Sequence, residues 1–381
     1  MKKKYLPLLM VLASSLTSCA TLKSYPLETY HQNLTGFEDQ YRVCVLSDIH
    51  LSILSDMAYE CDYLKHVIYS EAILDGKDVD ALSDTELEAY APKVIILDGD
   101  VFQTIDKSVV DRFFDWIDTL GIPFAFTYGN HDYHGLYGFR YIDQKIKKCQ
   151  NSLLINPVDD DVFGESNYVL NLYDGTNLKW QLFIFDSNDY YRLDYDIIHE
   201  DQVKWYENQV NWAKAQAGQV VPSIAYFHIP IEEFEEAWSL ESDGTLSKHP
   251  NSTFAGYNPK STWAMLDTGV ARGYKSNDLY EKAQELKSTK AFVVGHDHTN
   301  NTDFYYNKDN NGAIRLVYTT KTGHGIYHDT RIMGCNFIYL NASATGETDP
   351  LEAFTMKRVN VSYDYQAFVM TNDYINGGME E

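Results

Sequence analysis

Metal-binding cysteine pairs are missing from this sequence. Five cysteines (Cys19, Cys44, Cys61, Cys149 and Cys335) are scattered over 381 residues with no Cys-x-x-Cys spacing, which argues against a cysteine zinc site. Long apolar runs are also lacking. Tyr5–Leu16 is uncharged but shorter than the roughly 20 residues a membrane-spanning helix needs. Positive charge is scarce, with 31 Lys and Arg against 55 Asp and Glu and a formal net charge of -24. Such a surface repels polyanions and anionic membranes, which disfavours polynucleotide partners. No internal repeat or low-complexity linker divides the chain. With 44% hydrophobic and 14% aromatic residues, it can bury a substantial core, and one domain is the economical reading.

The N-terminal residues read as an export signal. Lys2, Lys3 and Lys4 precede the short apolar run, in the order of a signal peptide. Leu16-Thr17-Ser18-Cys19 resembles a bacterial lipoprotein cleavage box, which implies that Cys19 takes the lipid; an ordinary secretory signal is the alternative. The expectation is a signal peptide over residues 1–18, a lipid-anchored tether over 19–40, a catalytic domain over 41–345 and a C-terminal segment over 346–381. Residues 20–40 would reach about 70 Å fully extended, or about 25 Å as a coil. Removing residues 1–18, which hold three lysines and no acids, leaves -27. The implied location is the bacterial cell envelope, outside the cytoplasm. Export permits disulfides, and the four remaining cysteines allow three pairings that the sequence leaves open. Cys44 lies inside an apolar strand and reads as a buried thiol.

From Tyr41 onward, strand-like and helix-like segments alternate. Strands are expected at Arg42–Ser47, Lys93–Asp98, Pro123–Tyr128, Asn167–Leu172, Trp180–Asp186, Ile224–His228, Ala291–Val294, Ile314–Thr319 and Asn336–Leu340. Helices are expected at Met57–Ile73, Lys107–Leu120, Gln202–Ala215 and Ser276–Leu286. This pattern predicts a layered α/β fold with mixed sheets. Val203, Tyr206, Val210 and Ala213 recur at helical spacing and read as a core stripe, with Trp205 and Trp212 extending its edge. Glu232, Glu233, Glu235 and Glu236 read as a solvated helix face.

Five of the strands end in metal-ligating residue types. Arg42–Ser47 runs into Asp48-Ile49-His50, and Val94–Leu97 into Asp98-Gly99-Asp100. Pro123–Tyr128 precedes Gly129-Asn130-His131-Asp132, Ile224–Phe227 delivers His228, and Phe292–Val294 delivers Gly295-His296-Asp297-His298. In α/β sheets, ligands bind at the carboxyl ends of the strands. Asp-x-His and Gly-Asp are weak motifs singly, whereas Gly-Asn-His-Asp, Gly-His-Asp-His and the order of all five are specific. On these residues the sequence resembles the calcineurin-like metallophosphoesterase superfamily from Tyr41 to about Asn341. Phe227-His228-Ile229-Pro230 and Tyr318-Thr319-Thr320-Lys321-Thr322-Gly323 are most similar to a purple-acid-phosphatase-like branch.

The resemblance implies two mixed β-sheets packed together and flanked by helices, and two divalent or mixed-valence transition metal ions (Mn, Fe or Zn). One ion would take Asp48, His50 and His298; the other Asn130, His228 and His296, with Asp100 bridging. Imidazole and carboxylate ligands suit these ions, and two divalent cations against only Asp48 and Asp100 leave a centre that attracts phosphate. His131 would act as general acid or steady the phosphate charge. The implied activity is hydrolysis of small phosphate monoesters or diesters by a metal-activated hydroxide. A nuclease of the same superfamily, or a lipoprotein that only binds a ligand, are the alternatives.

Two departures stand out. Many relatives carry an Asp three residues after the bridging one, to orient the catalytic histidine; purple acid phosphatases place a tyrosine ligand there. Here that position is Gln103, so Asp132 or another group must orient His131. Beyond the third motif, His134 and Arg140 are candidates to bind substrate phosphate. Lys321 and His324 occupy a Gly-flanked turn that could line the pocket rim, with a structural role the favoured reading.

Overall fold

A computed structural model describes residues 25–157, 161–240, 246–254 and 269–370. The signal peptide expected over 1–18 and the lipidation expected at Cys19 lie outside these residues. Two large mixed sheets form the body. In the first, Tyr41–Leu46, Val94–Asp98 and Phe124–Thr127 pair in parallel, with Val45 opposite Ile96 and Ile96 opposite Ala125. In the second, Asn177–Ile184, Ser223–Tyr226, Thr289–Val294 and Ile314–Tyr318 do the same. Parallel strands are buried on both faces and need continuous apolar runs. Val94–Asp98 (VIILD) and Thr289–Val294 (TKAFVV) are buried at every position.

Side-chain alternation then stacks the layers. Leu170, Leu182, Tyr226 and Val293 of the second sheet share one core with Val43, Val45, Ile96 and Phe126 of the first. Their neighbours Val169, Phe183, Ala225 and Phe292 point the other way, onto Trp205, Tyr206 and Leu279. These last residues come from helices Glu200–Ala217 and Leu279–Leu286. The expected stripe Val203, Tyr206, Val210 and Ala213 is buried, as is Cys44. Helices Met57–Ile68 and Lys107–Thr119 cover the first sheet and start where Asp56 and Asp106 accept backbone N–H bonds.

Several expectations need correction. The tether over 19–40 is not a tether throughout, because His31–Thr35 runs parallel to Tyr168–Asp174 as an edge strand of the second sheet. The domain does not close at 345. Phe354–Val361 pairs antiparallel with Gly334–Leu340, and Ala367–Val369 pairs with Phe354–Val361, so the segment from 346 completes the first sheet. The helix expected over Met57–Ile73 breaks at Tyr69 into Met57–Ile68 and Ser70–Leu74. Glu233 is not solvated; it is buried in helix Glu232–Ala237 and ion-paired with Lys308 at 2.7 Å.

Candidate metal centre

The carboxyl ends of the parallel strands in both sheets meet, and the backbone there is strained. Asp48, His50, Asp100 and His296 sit at φ of 55°, 53°, 51° and 75°. Non-glycine residues rarely adopt this region, at a cost of about 1–3 kcal/mol each, and such residues cluster at functional sites. Backbone bonds hold them there: the Asp48 N–H donates to the Gly99 carbonyl at 3.1 Å, and the His50 N–H to the Asp100 carbonyl at 2.9 Å. The motif glycines permit the close approach. A Cβ on Gly99 (φ 82°) would fall 2.4 Å from His228 Nδ1, and one on Gly129 2.2 Å from Asp100 Oδ1.

Two triads result. Ligand atoms of Asp48, His50 and His298 lie within 4.8 Å of one another, as do those of Asp100, His228 and His296. Carboxylates join the two: Asp100 Oδ2 is 3.1 Å from His228 Nε2 and 3.5 Å from His50 Nε2, and Asp48 Oδ1 is 3.8 Å from His228 Nε2. His50 Nε2 and His298 Nε2 face each other at 2.9 Å, an arrangement that needs a shared proton or cation. His228 donates from Nδ1 to the Asp98 carbonyl at 2.9 Å, and His298 from Nδ1 to the Tyr327 carbonyl at 3.0 Å. Those bonds turn both Nε2 atoms inward, the usual outer support of a metal-binding imidazole.

The donor atoms left over pass a test of fit. Asp48 Oδ1, His228 Nε2, His296 Nε2 and both amide atoms of Asn130 are buried without a hydrogen-bond partner among the described residues. Each such atom costs about 1–3 kcal/mol unless something satisfies it. A mixed imidazole, carboxylate and amide set in this arrangement suits Mn, Fe or Zn. Burial lowers His50 to about 4 and His296 to about 3. Burial would lower His228 too, but the Asp100 and Asp48 charges raise it to about 10.

Residues 41–300 match the calcineurin-like phosphoesterase family. The chain belongs to that family. It is 23% identical over 324 residues to "Probable inactive purple acid phosphatase 29" of Arabidopsis thaliana, covering 74% of this chain and 73% of the relative. It is 21% identical over 226 residues to "Probable cyclic nucleotide phosphodiesterase" of Psychrobacter arcticus, covering 57% and 68%. Among solved structures, the phosphopantetheinyl hydrolase of Mycobacterium tuberculosis aligns at a TM-score of 0.34 and 12% identity, over 73% of this chain and 89% of that one.

Around the centre of this calcineurin-like phosphoesterase, the other expected residues separate. The His131 ring lies edge-on to His50 and His134, with centroids 5.1 and 5.2 Å apart. Its backbone N–H donates to Asp100 Oδ1 at 2.8 Å. Asp132 does not orient the ring. It is fully buried and accepts the Phe102 and Gly129 N–H groups, each at 2.9 Å, tying the third motif to the second. Burial and the Asp100 charge push its carboxyl up to about 8. Gln103 is exposed. His134 stands beside His131, and its Nε2 is 3.0 Å from Asp189 Oδ1. Arg140 instead lines a neighbouring cavity of about 740 Å³ with Tyr133, Asp189 and Tyr190.

Three contributors were not read from the sequence as parts of the centre. Lys321 is buried rather than on the rim, donates from Nζ to the Asp48 carbonyl at 2.5 Å, and is lowered by burial to about 8. The Tyr195 ring stands against His296 at 4.3 Å, and Tyr327 against His298 at 4.4 Å. The Thr-Lys-Thr-Gly stretch was a visible signal for Lys321. Nothing local marks the tyrosines, because they reach the centre from separate loops.

Proposed function

We propose that this chain hydrolyses small phosphate esters outside the cytoplasm, using two transition metal ions. The observation that carries this reading is the convergence of two buried triads in which Asp48 Oδ1, His228 Nε2 and His296 Nε2 have no hydrogen-bond partner among the described residues. Asp48, His50 and His298 would hold one ion; Asn130, His228 and His296 the other; Asp100 would be shared by both. When bound, such a pair polarises phosphate oxygens and acidifies water. The chain's own groups do the rest. The carbonyls of Asp98 and Tyr327 fix the ligand tautomers, and Lys321 anchors the Asp48 backbone. His131, half-buried and bonded through its backbone N–H to Asp100, would hand a proton to the leaving oxygen.

The net charge of -24 favours a small ester over a polynucleotide. The word "inactive" belongs to the plant relatives' names; in this chain every position of the expected ligand set keeps a metal-binding residue type. The leader-like residues 1–18 and Cys19 support export and a lipid anchor. Among the described residues, no helix is long and apolar enough to cross a membrane. The test is turnover of an aryl phosphate and its bis-ester by the purified protein loaded with Mn, Zn or Fe, with metal content read alongside. Full metal occupancy without turnover of either ester would favour a ligand-binding lipoprotein instead.

A further inference from the structure

The surface around the metal edge is unlike the rest of this acidic chain. Of the thirteen large hydrophobic side chains exposed among the described residues, nine lie on loops that leave the carboxyl ends of the parallel strands. Ile53 and Leu54 follow His50, Ile105 follows Asp100, and Leu136 follows His131. Leu193 tips a short hairpin, Tyr190–Tyr191 with Asp194–Tyr195, whose two ends touch His134 and His296. Ile326 adjoins Tyr327, which stacks on His298. Leu54, Leu136 and Leu193 are 90%, 84% and 101% exposed, so they protrude as single tips.

Charge is depleted in the same places. Residues 51–55, 101–105, 135–138, 190–193 and 323–328 contain no Asp or Glu and one basic residue, Arg192, although acids outnumber basic residues 55 to 31 in the whole chain. Of the flanking acids, Asp56 and Asp106 are turned to capping helices, Asp189 faces His134 and Asp329 pairs with Arg331, while Asp194 beside Leu193 is exposed. Exposed hydrophobics scattered singly over a surface are ordinary, but nine of the thirteen here gather at one edge.

We propose that this rim docks the metal edge onto a zwitterionic lipid surface and that the enzyme draws an amphiphilic phosphate ester from it. A lipid surface accepts protruding side chains without a matching hollow, whereas a second copy would have to supply one and would close the centre. Uncharged tips on a strongly negative body suit zwitterionic headgroups and are repelled by anionic ones. Tyr190 and Tyr327 fit the boundary, where aromatic rings with a polar end collect. The substrate half rests on the hydrolase reading above; the docking half does not.

The experiment compares the full chain with the triple variant Leu54→Asp, Leu136→Asp, Leu193→Asp, so that residues 1–24 contribute equally to both. Flotation with phosphatidylcholine vesicles should fall in the variant, by roughly ten-fold for each leucine that reaches the acyl boundary. Leu193→Trp should gain fluorescence that brominated phosphatidylcholine quenches, while Leu351→Trp, exposed but away from the rim, should not. Turnover of a soluble aryl phosphate should survive in the triple variant, while turnover of a phosphate ester held in vesicles is lost. Docking is overturned if Leu193→Trp escapes quenching, if anionic vesicles bind better, or if the wild type is a dimer that the variant splits. Equal loss of both turnovers would overturn the substrate half. A chain that hydrolyses neither ester yet shows the quenching keeps the docking and removes only the hydrolase reading.

Discussion

Replacing His131 by glutamine separates proton transfer from metal binding, and the geometry says how. Among the described residues the ring makes no hydrogen bond; it meets His50 and His134 edge-on, at about 5 Å. The contact that ties residue 131 to Asp100 is made by its backbone N–H, which glutamine keeps. Position 131 is half-buried, so a glutamine side chain fits without stranding a polar group. The fold and both triads should therefore persist, and metal content should stay near that of the wild type. General acid catalysis contributes about 10²–10⁴-fold, or about 3–5 kcal/mol, to transition-state stabilisation. For an alkyl phosphate, whose leaving oxygen needs a proton, kcat should fall within that range. For a nitroaryl phosphate, whose leaving group departs as a stable anion, the fall should be much smaller. The assay is steady-state turnover of both esters with metal analysis of the same samples. His131 can also group with His50 and Asp100 as a possible ligand set. Loss of an ion in His131→Gln would therefore refute the acid role and make His131 a ligand. Equal loss with both esters would refute proton transfer to the leaving group.

Further outcomes follow from other parts of the structure. Asp100→Asn keeps the shape but removes the charge lying between His50 and His228, so it should weaken both ions. Asn130→Ala should weaken chiefly the one shared with His228 and His296. Effects of at least about 10–100-fold in metal affinity are expected, since outer-shell changes alone reach that size, and metal titration distinguishes the two patterns. Lys290 is buried against the Gly346 carbonyl and lowered from 10.5 to about 8. The unfolded chain therefore binds more protons between those values, and stability should rise with pH across that window, by up to about 1.4 kcal/mol per unit. Lys290→Met should flatten this component in urea melts; an unchanged slope would show that Lys290 is not its source. Cys19→Ala should remove the lipid and weaken membrane binding to whatever the rim supplies, and a wild-type protein recovered with no lipid would rule out the anchor.

What could be read from the sequence divides along a physical line. Val94–Asp98 and Thr289–Val294 are buried at every position, their stretches Val94–Leu97 and Ala291–Val294 are unbroken apolar runs, and the residues released at their ends stood out as polar motifs. The centre was legible because chemistry restricts which residue types occupy it and because parallel strands deliver them to one edge. His31–Thr35 (HQNLT) is an edge strand with no fully buried residue, so its sequence looks the same as a solvated tether. Phe354–Val361 is mixed in burial, and its middle residues Thr355, Met356 and Lys357 gave no strand signal. Glu233 and Lys308 are 75 positions apart, so their pairing, and with it the burial of Glu233, depends on tertiary structure alone. Lys321 reverses the usual expectation for lysine, because the Asp48 carbonyl and the nearby carboxylates of Asp48, Asp100 and Glu60 make a buried cation tolerable there. The apolar rim lies beyond sequence reading for a related reason. Ile53, Leu136, Leu193 and Ile326 each look like ordinary loop hydrophobics destined for a core, and only the fold shows them left outside, gathered around one edge.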